Sequence, residues 1–383
     1  MFLDLEILRI IWWALLGVLL IGFAVTDGFD MGVAALLPWV ARTDIEKRIV
    51  LNTIGPFWEG NQVWIVLGAG AIFAAWPFVY AVAFSGFYLI ILLLLLTMGI
   101  SRPVSFKYRS KLPNLFWRQF WDCLVVIGGV FPAVIFGILV GNVLTGVPFL
   151  FDNSLRIFYS GTITNLFHPF AWLCGLLSLA MFVMHGGLFL AIKTDNPIRA
   201  RALRWSRAMS LIVIVAFAVG GFWTAFGLNG YEVVGTVDPF GYSNPLHKHV
   251  ILKTGAWLQN YFIYPYAMLV PALGFAGALG VLLTANMGNS RLAFICSGLS
   301  MTGIIGTVGV SMFPFLLPSS ADYASSLLVW DASSTQLTLL MMLVSTIIFL
   351  PLILVYTAWV YRALRGKVRA DVIENDETQH QTY

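Results

Sequence analysis

Charge is what this 383-residue chain has least of: Asp, Glu, Lys and Arg together make up 10% of it, against about 25% in a soluble domain. Hydrophobic residues reach 59%. A water-soluble globule is thereby excluded, because one soluble core of this length cannot bury so much apolar surface. Histidine is also scarce, at five, and His247, His249 and His380 fall in polar loop or tail sequence. No H-x-x-x-H or C-x-x-C-H pattern occurs, so the chain offers no ligand set for a metal or for several hemes. The three cysteines, Cys123, Cys174 and Cys296, stand far apart and read as small packing residues. A net charge of only +4 removes any electrostatic case for nucleic acid. The opening "MFLDLEILRI" lacks a basic n-region and leads to no A-x-A site, so it reads as an uncleaved first span.

What is present is a series of apolar runs. Windows of about 20 residues place spans near 8–27, 78–101, 122–146, 166–190, 208–228, 262–285, 292–316 and 336–361. The expected architecture is an all-α polytopic membrane protein with eight transmembrane helices. It forms one integral domain over 1–370, followed by a polar cytoplasmic tail at 371–383. A further apolar piece, "VWIVLGAGAIFAAW" (63–76), is short for a crossing. It is expected to be a half-helix, a re-entrant piece or an extension of the second span. Charge parity supports that reading. With eight spans both termini share one side, which collects 16 of the Lys and Arg residues against six on the other. The positive-inside rule makes that side cytoplasmic. Eight spans also permit two four-helix halves, roughly 1–190 and 191–370.

Two carboxylates break the first apolar run, Asp27 and Asp30 in "LLIGFAVTDGFDMGVAALLPWVAR" (19–42). Each costs roughly 2.5–3.5 kcal/mol at the centre of a membrane helix. Three residues apart, they share a helix face. Gly28 and Gly32 form a G-x-x-x-G pair on the adjacent face, a pattern that lets another helix approach closely. The plainer alternative puts Asp30 at the outer, headgroup end of the span. A second polar knot, "GPFWEGNQVW" (55–64), sets Glu59, Asn61 and Gln62 between Trp58 and Trp64. It suggests irregular backbone lining a polar cavity, with an interfacial loop anchored by tryptophan as the alternative. Arg102, before Pro103, reads as a topology signal that snorkels to the cytoplasmic surface. His185, in "MFVMHGGLFL", is the one deep histidine and is expected to be hydrogen-bonded between helices. Asp331 or Ser333 is the expected N-cap of the last span.

In combination these phrases carry a resemblance. "LRIIWWALLGVLLIGFAVTDGFDMG", "FWEGNQVWIVLGAGAIFAAWPFVYAVAFSGFY", "SRPVSFKYRSK", "GNVLTGVPF", "MFPFLLPSS" and "WDASSTQLTL" are together similar to subunit II of the cytochrome bd quinol oxidases. The likeness runs in matching order from about residue 5 to 370. It implies a subunit of a terminal oxidase of the bacterial cytoplasmic membrane, surrounded by membrane lipid. Such a complex oxidises quinol and reduces dioxygen to water with protons from the cytoplasm, generating proton-motive force without pumping. It implies that hemes b and heme d are ligated by a larger subunit I, and it leaves room for a bound quinone and for a small single-span accessory subunit. It implies a fold of two four-helix bundles. By position it assigns Glu59, Asp27 and Arg102 to a proton path and Trp64 to lateral oxygen access. Relatives often carry an acid where this chain has Lys107, which puts a proton-collecting carboxylate at that loop in doubt. The rival from another class is a secondary transporter whose intramembrane carboxylates bind a coupling ion.

Overall fold

The computed structural model describes residues 3–369, so the tail expected at 371–383 lies outside the described residues. In chain order, α1 (Leu5–Val40) is followed by the short α2 (Asp44–Ile54), α3 (Trp58–Ala75) and α4 (Pro77–Gly86). Next comes a helical rod built of α5 (Tyr88–Leu94), a π-helical segment (Leu95–Ser101) and α6 (Arg102–Tyr108). Then follow α7 (Leu115–Thr145), α8 (Pro169–Lys193), α9 (Ile198–Phe226), the short α10 (Gln259–Ile263), α11 (Leu269–Asn286), α12 (Ser290–Met312) and α13 (Gln336–Ala363). Three two-stranded antiparallel hairpins sit in the loops. They pair β1 (Phe149–Phe151) with β2 (Ile157–Tyr159), β3 (Asn229–Val234) with β4 (His249–Thr254), and β5 (Phe315–Leu317) with β6 (Leu327–Leu328).

Local chemistry explains the helix boundaries. The Thr43, Asn114 and Asn289 side chains accept backbone N–H bonds at the starts of α2, α7 and α12. His168 does the same for α8, with Pro169 at the first helical position. The last span departs from expectation. Its cap is Thr335, which accepts from Thr338 N. Asp331 instead accepts from Leu328 N at 2.9 Å and from Lys248 Nζ at 2.6 Å. α8 is the central helix, packed on α1, α7, α9 and α12. At the α1–α8 crossing, a Cβ on Gly32 would strike the Phe182 carbonyl, and one on Gly186 would strike the backbone of Val33. Gly28 lies under the Phe182 ring. Only glycine lets these two backbones approach so closely.

Among the described residues, eight helical stretches are long and apolar enough to cross a membrane. The second of them is Tyr88–Lys111, ten residues beyond the window expected from hydropathy. The displaced stretch is a broken pair: α3 and α4 meet at Pro77 with a bend of 119°. Contacts at the two ends of α3 show that it runs the length of the bundle. Its start lies near Lys193, which sits 4.9 Å over the Phe57 ring. At its end, Ser334 N donates to Ala75 O at 2.8 Å. Eighteen residues of α-helix reach about 27 Å, close to the ~30 Å hydrocarbon thickness.

The expectation that both termini share one side is therefore corrected. Gln336 Nε2 donates to Leu3 O at 2.7 Å and Arg9 Nε to Ser333 Oγ at 2.7 Å, which puts the N-terminal end at the start of α13. The far end of α13 is bound elsewhere, where Lys193 Nζ donates to the Leu364 carbonyl. The two ends of the described chain lie on opposite faces. The charge pattern sharpens as a result. Arg9, Arg156, Lys248 and Lys253 stay on the N-terminal face, Arg102 is buried between helices, and the remaining seventeen of the 22 Lys and Arg residues collect on the other face, hereafter the basic face. A cytoplasm-only reporter fused after Lys111 or Arg204 should thus be active, fusions near Asp152, Pro239 or Ala321 silent, and an N-terminal tag accessible from outside. A cytoplasmic N-terminal tag would restore the arrangement with both termini on one side.

Candidate functional site

The π-helical segment sets the site. Pro103 has no N–H to donate back along the helix, and the wider i→i+5 turn ends just before it. Ser101 Oγ donates to Leu96 O at 2.7 Å, covering a carbonyl inside the irregular turn. Gly128 of α7 makes room, because a Cβ there would meet Arg102 Cβ and Thr97 O. The result turns Arg102 inward rather than toward the surface. Its Nη2 donates to Asp27 Oδ1 at 2.6 Å, and neither side chain has any exposure. The reading of Arg102 as a snorkelling surface residue is corrected.

Asp30 belongs to the same cluster and not to a headgroup layer. α1 continues through Pro38 to Val40, which leaves Asp30 buried, about 15 Å along the helix from that end. Asn61 Nδ2 donates to Asp30 Oδ2 at 2.8 Å, and Tyr361 Oη of α13 donates to Asn61 Oδ1 at 2.7 Å. Gln62 Nε2 donates to Met98 O at 3.0 Å. Asp27 Oδ2, Asp30 Oδ1 and Arg102 Nε and Nη1 are buried without a protein partner. Such atoms in a low-dielectric interior remain available to water or to a moving proton.

Glu59 is placed differently from the sequence expectation. It sits in the first turn of α3 at the basic face with its side chain 69% exposed, 3.6 Å from Lys107 Nζ. It bonds to neither buried aspartate. Trp64 is buried with its ring against Gly22 of α1. His185 is fully buried, with Nδ1 2.6 Å from Ser297 Oγ and Nε2 3.0 Å from Val25 O.

Two features escaped sequence reading. Tyr361 joins the aspartate cluster from the opposite end of the chain, and its only signal was a tyrosine ahead of Arg362 at the close of the last span. On the basic face Arg109 bonds Asp122 at 2.5 Å and Asp44 at 2.7 Å, with Lys47 on Asp122 and Arg118 on Asp44. That lattice ties α2 to the α6–α7 corner. On the opposite face, burial raises the Asp331 carboxyl and lowers the Lys248 ammonium from their usual ranges, and their mutual attraction opposes both shifts.

A family model for cytochrome bd terminal oxidase subunit II matches residues 8–364. The chain belongs to that family. It is 45% identical to the cytochrome bd-I ubiquinol oxidase subunit 2 of Escherichia coli K12, over 97% of this chain and 98% of the relative. It is 28% identical to the cytochrome bd ubiquinol oxidase subunit 2 of Bacillus subtilis 168, over 94% and 96% of the two chains. The solved bd oxidase of Geobacillus thermodenitrificans contains a chain of the same fold, with a TM-score of 0.65 at 16% identity, covering 93% of this chain and 98% of that one. The subunit II family is thus the class of this protein, and the transporter reading is not supported.

The Asp27–Arg102 pair generates a stability prediction. Asp27→Leu breaks the buried pair and strips the Arg102 guanidinium of its bonded carboxylate, at an expected cost of about 3–5 kcal/mol. Adding Arg102→Met removes the stranded guanidinium and, once Asp30 holds a proton, should recover most of the loss. Thermal unfolding of the purified complex measures both, and a double variant no more stable than Asp27→Leu would exclude this account.

Proposed function

We propose that this subunit II assembles with a larger heme-bearing subunit I in a quinol oxidase of the bacterial cytoplasmic membrane, the basic face being cytoplasmic. The complex oxidises quinol, reduces dioxygen to water with cytoplasmic protons, and so builds a membrane potential without pumping. Hemes b and heme d are assigned to the partner. Among the described residues, the histidines of the helical spans do not fit a heme, since both ring nitrogens of His185 are engaged and His168 caps α8. This chain acts as one integral unit that supplies scaffold and access paths.

The observation that carries the proton role is the buried cluster of Asp27, Asp30, Arg102, Asn61 and Tyr361. One guanidinium faces two buried carboxylates, so the group is one charge short of neutrality in a medium where unbalanced charge is costly. Taking up a proton restores the balance, and releasing it resets the cluster. Glu59 and Lys107 form the surface station on the proton-supplying side, and Asn61, two residues inward from Glu59, bonds Asp30 directly.

Trp64 is assigned to lateral oxygen access. An apolar groove of about 580 Å³ between α1, α3 and α13, lined by Trp12, Leu19, Val66 and Phe349 among others, suits the isoprenoid tail of a bound quinone. Of the eight long apolar helices, α13 buries the smallest share, leaving an apolar face for subunit I, lipid or a small single-span accessory subunit.

Two experiments test this reading. Expressed without its partner, the chain should carry no stoichiometric heme, while the purified complex should absorb as both b- and d-type heme. A stable heme-loaded preparation of this chain alone would reverse the assignment. In the assembled complex, Glu59→Gln and Asp30→Asn should each leave heme content intact and lower quinol-driven oxygen uptake about tenfold, a barrier increase of about 1.4 kcal/mol. Full turnover in Glu59→Gln alongside a slow Asp30→Asn would move the entry point away from Glu59. Full turnover in both would remove the cluster from the path.

A further inference from the structure

We propose that a cationic pocket on the basic face, sharing no residue with the aspartate cluster, binds the headgroup of an anionic phospholipid. The pocket has a volume of about 430 Å³. It lies between the end of α8, the first turn of α9, the tight turn joining α11 to α12, and the segment following α13. Its wall presents Arg199, Arg291 and Lys367 beside Met287, Gly288 and Asn289.

The three cations are held differently. Arg199 Nη2 donates to Gly288 O at 3.0 Å and to Ser290 Oγ at 3.4 Å, which fixes its guanidinium against the turn. Its Nε is buried without a protein partner. Arg291 is exposed on the first turn of α12 and has no ion pair among the described residues. Lys367 Nζ is 2.5 Å from Asp195 Oδ1. Asp195 offsets one of the three positive charges, so the pocket keeps an excess of two. Guanidinium forks match phosphate oxygens in geometry as well as charge.

Position selects a lipid over a soluble anion. The turn at Met287–Asn289 joins two spans, so the pocket opens at the level of the headgroups. Met287 on its rim is 81% exposed. Leu283, Leu292 and Ile295, on the adjoining turns of α11 and α12, expose apolar side chains toward the bilayer. Cations above an aliphatic strip form the complement of a diacyl lipid, and basic pockets between spans on the cytoplasmic side take acidic headgroups. The inference rests on the basic face lying at the inner leaflet and on nothing in the oxidase chemistry.

The test uses the purified two-subunit complex, titrated with phosphatidylglycerol or phosphatidylcholine and read by native mass spectrometry. The wild-type complex should retain phosphatidylglycerol in preference to phosphatidylcholine. Arg199→Gln with Arg291→Gln should lower that retention about tenfold, equivalent to about 1.4 kcal/mol. Arg204→Gln, which removes an exposed cation of α9 outside the pocket, should change nothing. Equal retention in wild type and double variant, or an equal loss in Arg204→Gln, would overturn the proposal. Complete displacement of the lipid by inorganic phosphate alone would reassign the pocket to soluble phosphate and also overturn it. Should the double variant fail to assemble, Arg291→Gln carries the test alone, since its exposed side chain holds no ion pair, and unchanged retention there would have the same force.

Discussion

The Asp27–Arg102 pair holds the first half of this protein in register. Removing two charges from water costs several kcal/mol each, and only close pairing repays it. A carboxylate on α1 and a guanidinium at the junction of the π-helical segment and α6 must therefore face each other. That demand explains the irregular turn at Leu95–Ser101, the proline after Arg102, and the glycine of α7 that lets the bulge fit. It also explains the neighbouring cluster. Once α1 is anchored, Asp30 one turn further on faces α3 and meets Asn61.

Around this anchor the chain uses small residues where helices touch and charge where they end. Gly32 and Gly186 bring α1 and the central α8 together without polar contacts of their own. The ends are tied by ion pairs: Arg109 and Arg118 with Asp44 and Asp122 on the basic face, and Lys248 with Asp331 on the other. Of the eight candidate spans, α13 is the least buried.

The class of the fold, its helical spans and the family could be read from composition, apolar run length and ordered motifs, because each depends on local sequence. Asp27, Asn61 and the Gly28/Gly32 pair were legible for the same reason: a polar or small residue inside an apolar run is visible without coordinates. Topology was not. Counting charges per loop required a decision on 63–76, and a piece that looks too short from Val63 to Trp76 is long enough once the helix starts at Trp58. A helix start there depends on Phe57 and Trp58 packing against other elements, which no hydropathy window contains.

Burial, too, was decided by the fold. Glu59 and Asp30 look equally misplaced in apolar sequence, yet one meets solvent and Lys107 while the other is enclosed by α3 and α13. Arg102 reads as a surface anchor until the π-helical turn directs it inward. The sequence by itself determined which residues were costly to place in a membrane. Only the tertiary structure decided which of them pair, because partners such as Asn61 and Tyr361 are 300 residues apart in the chain and become neighbours only when the helices pack.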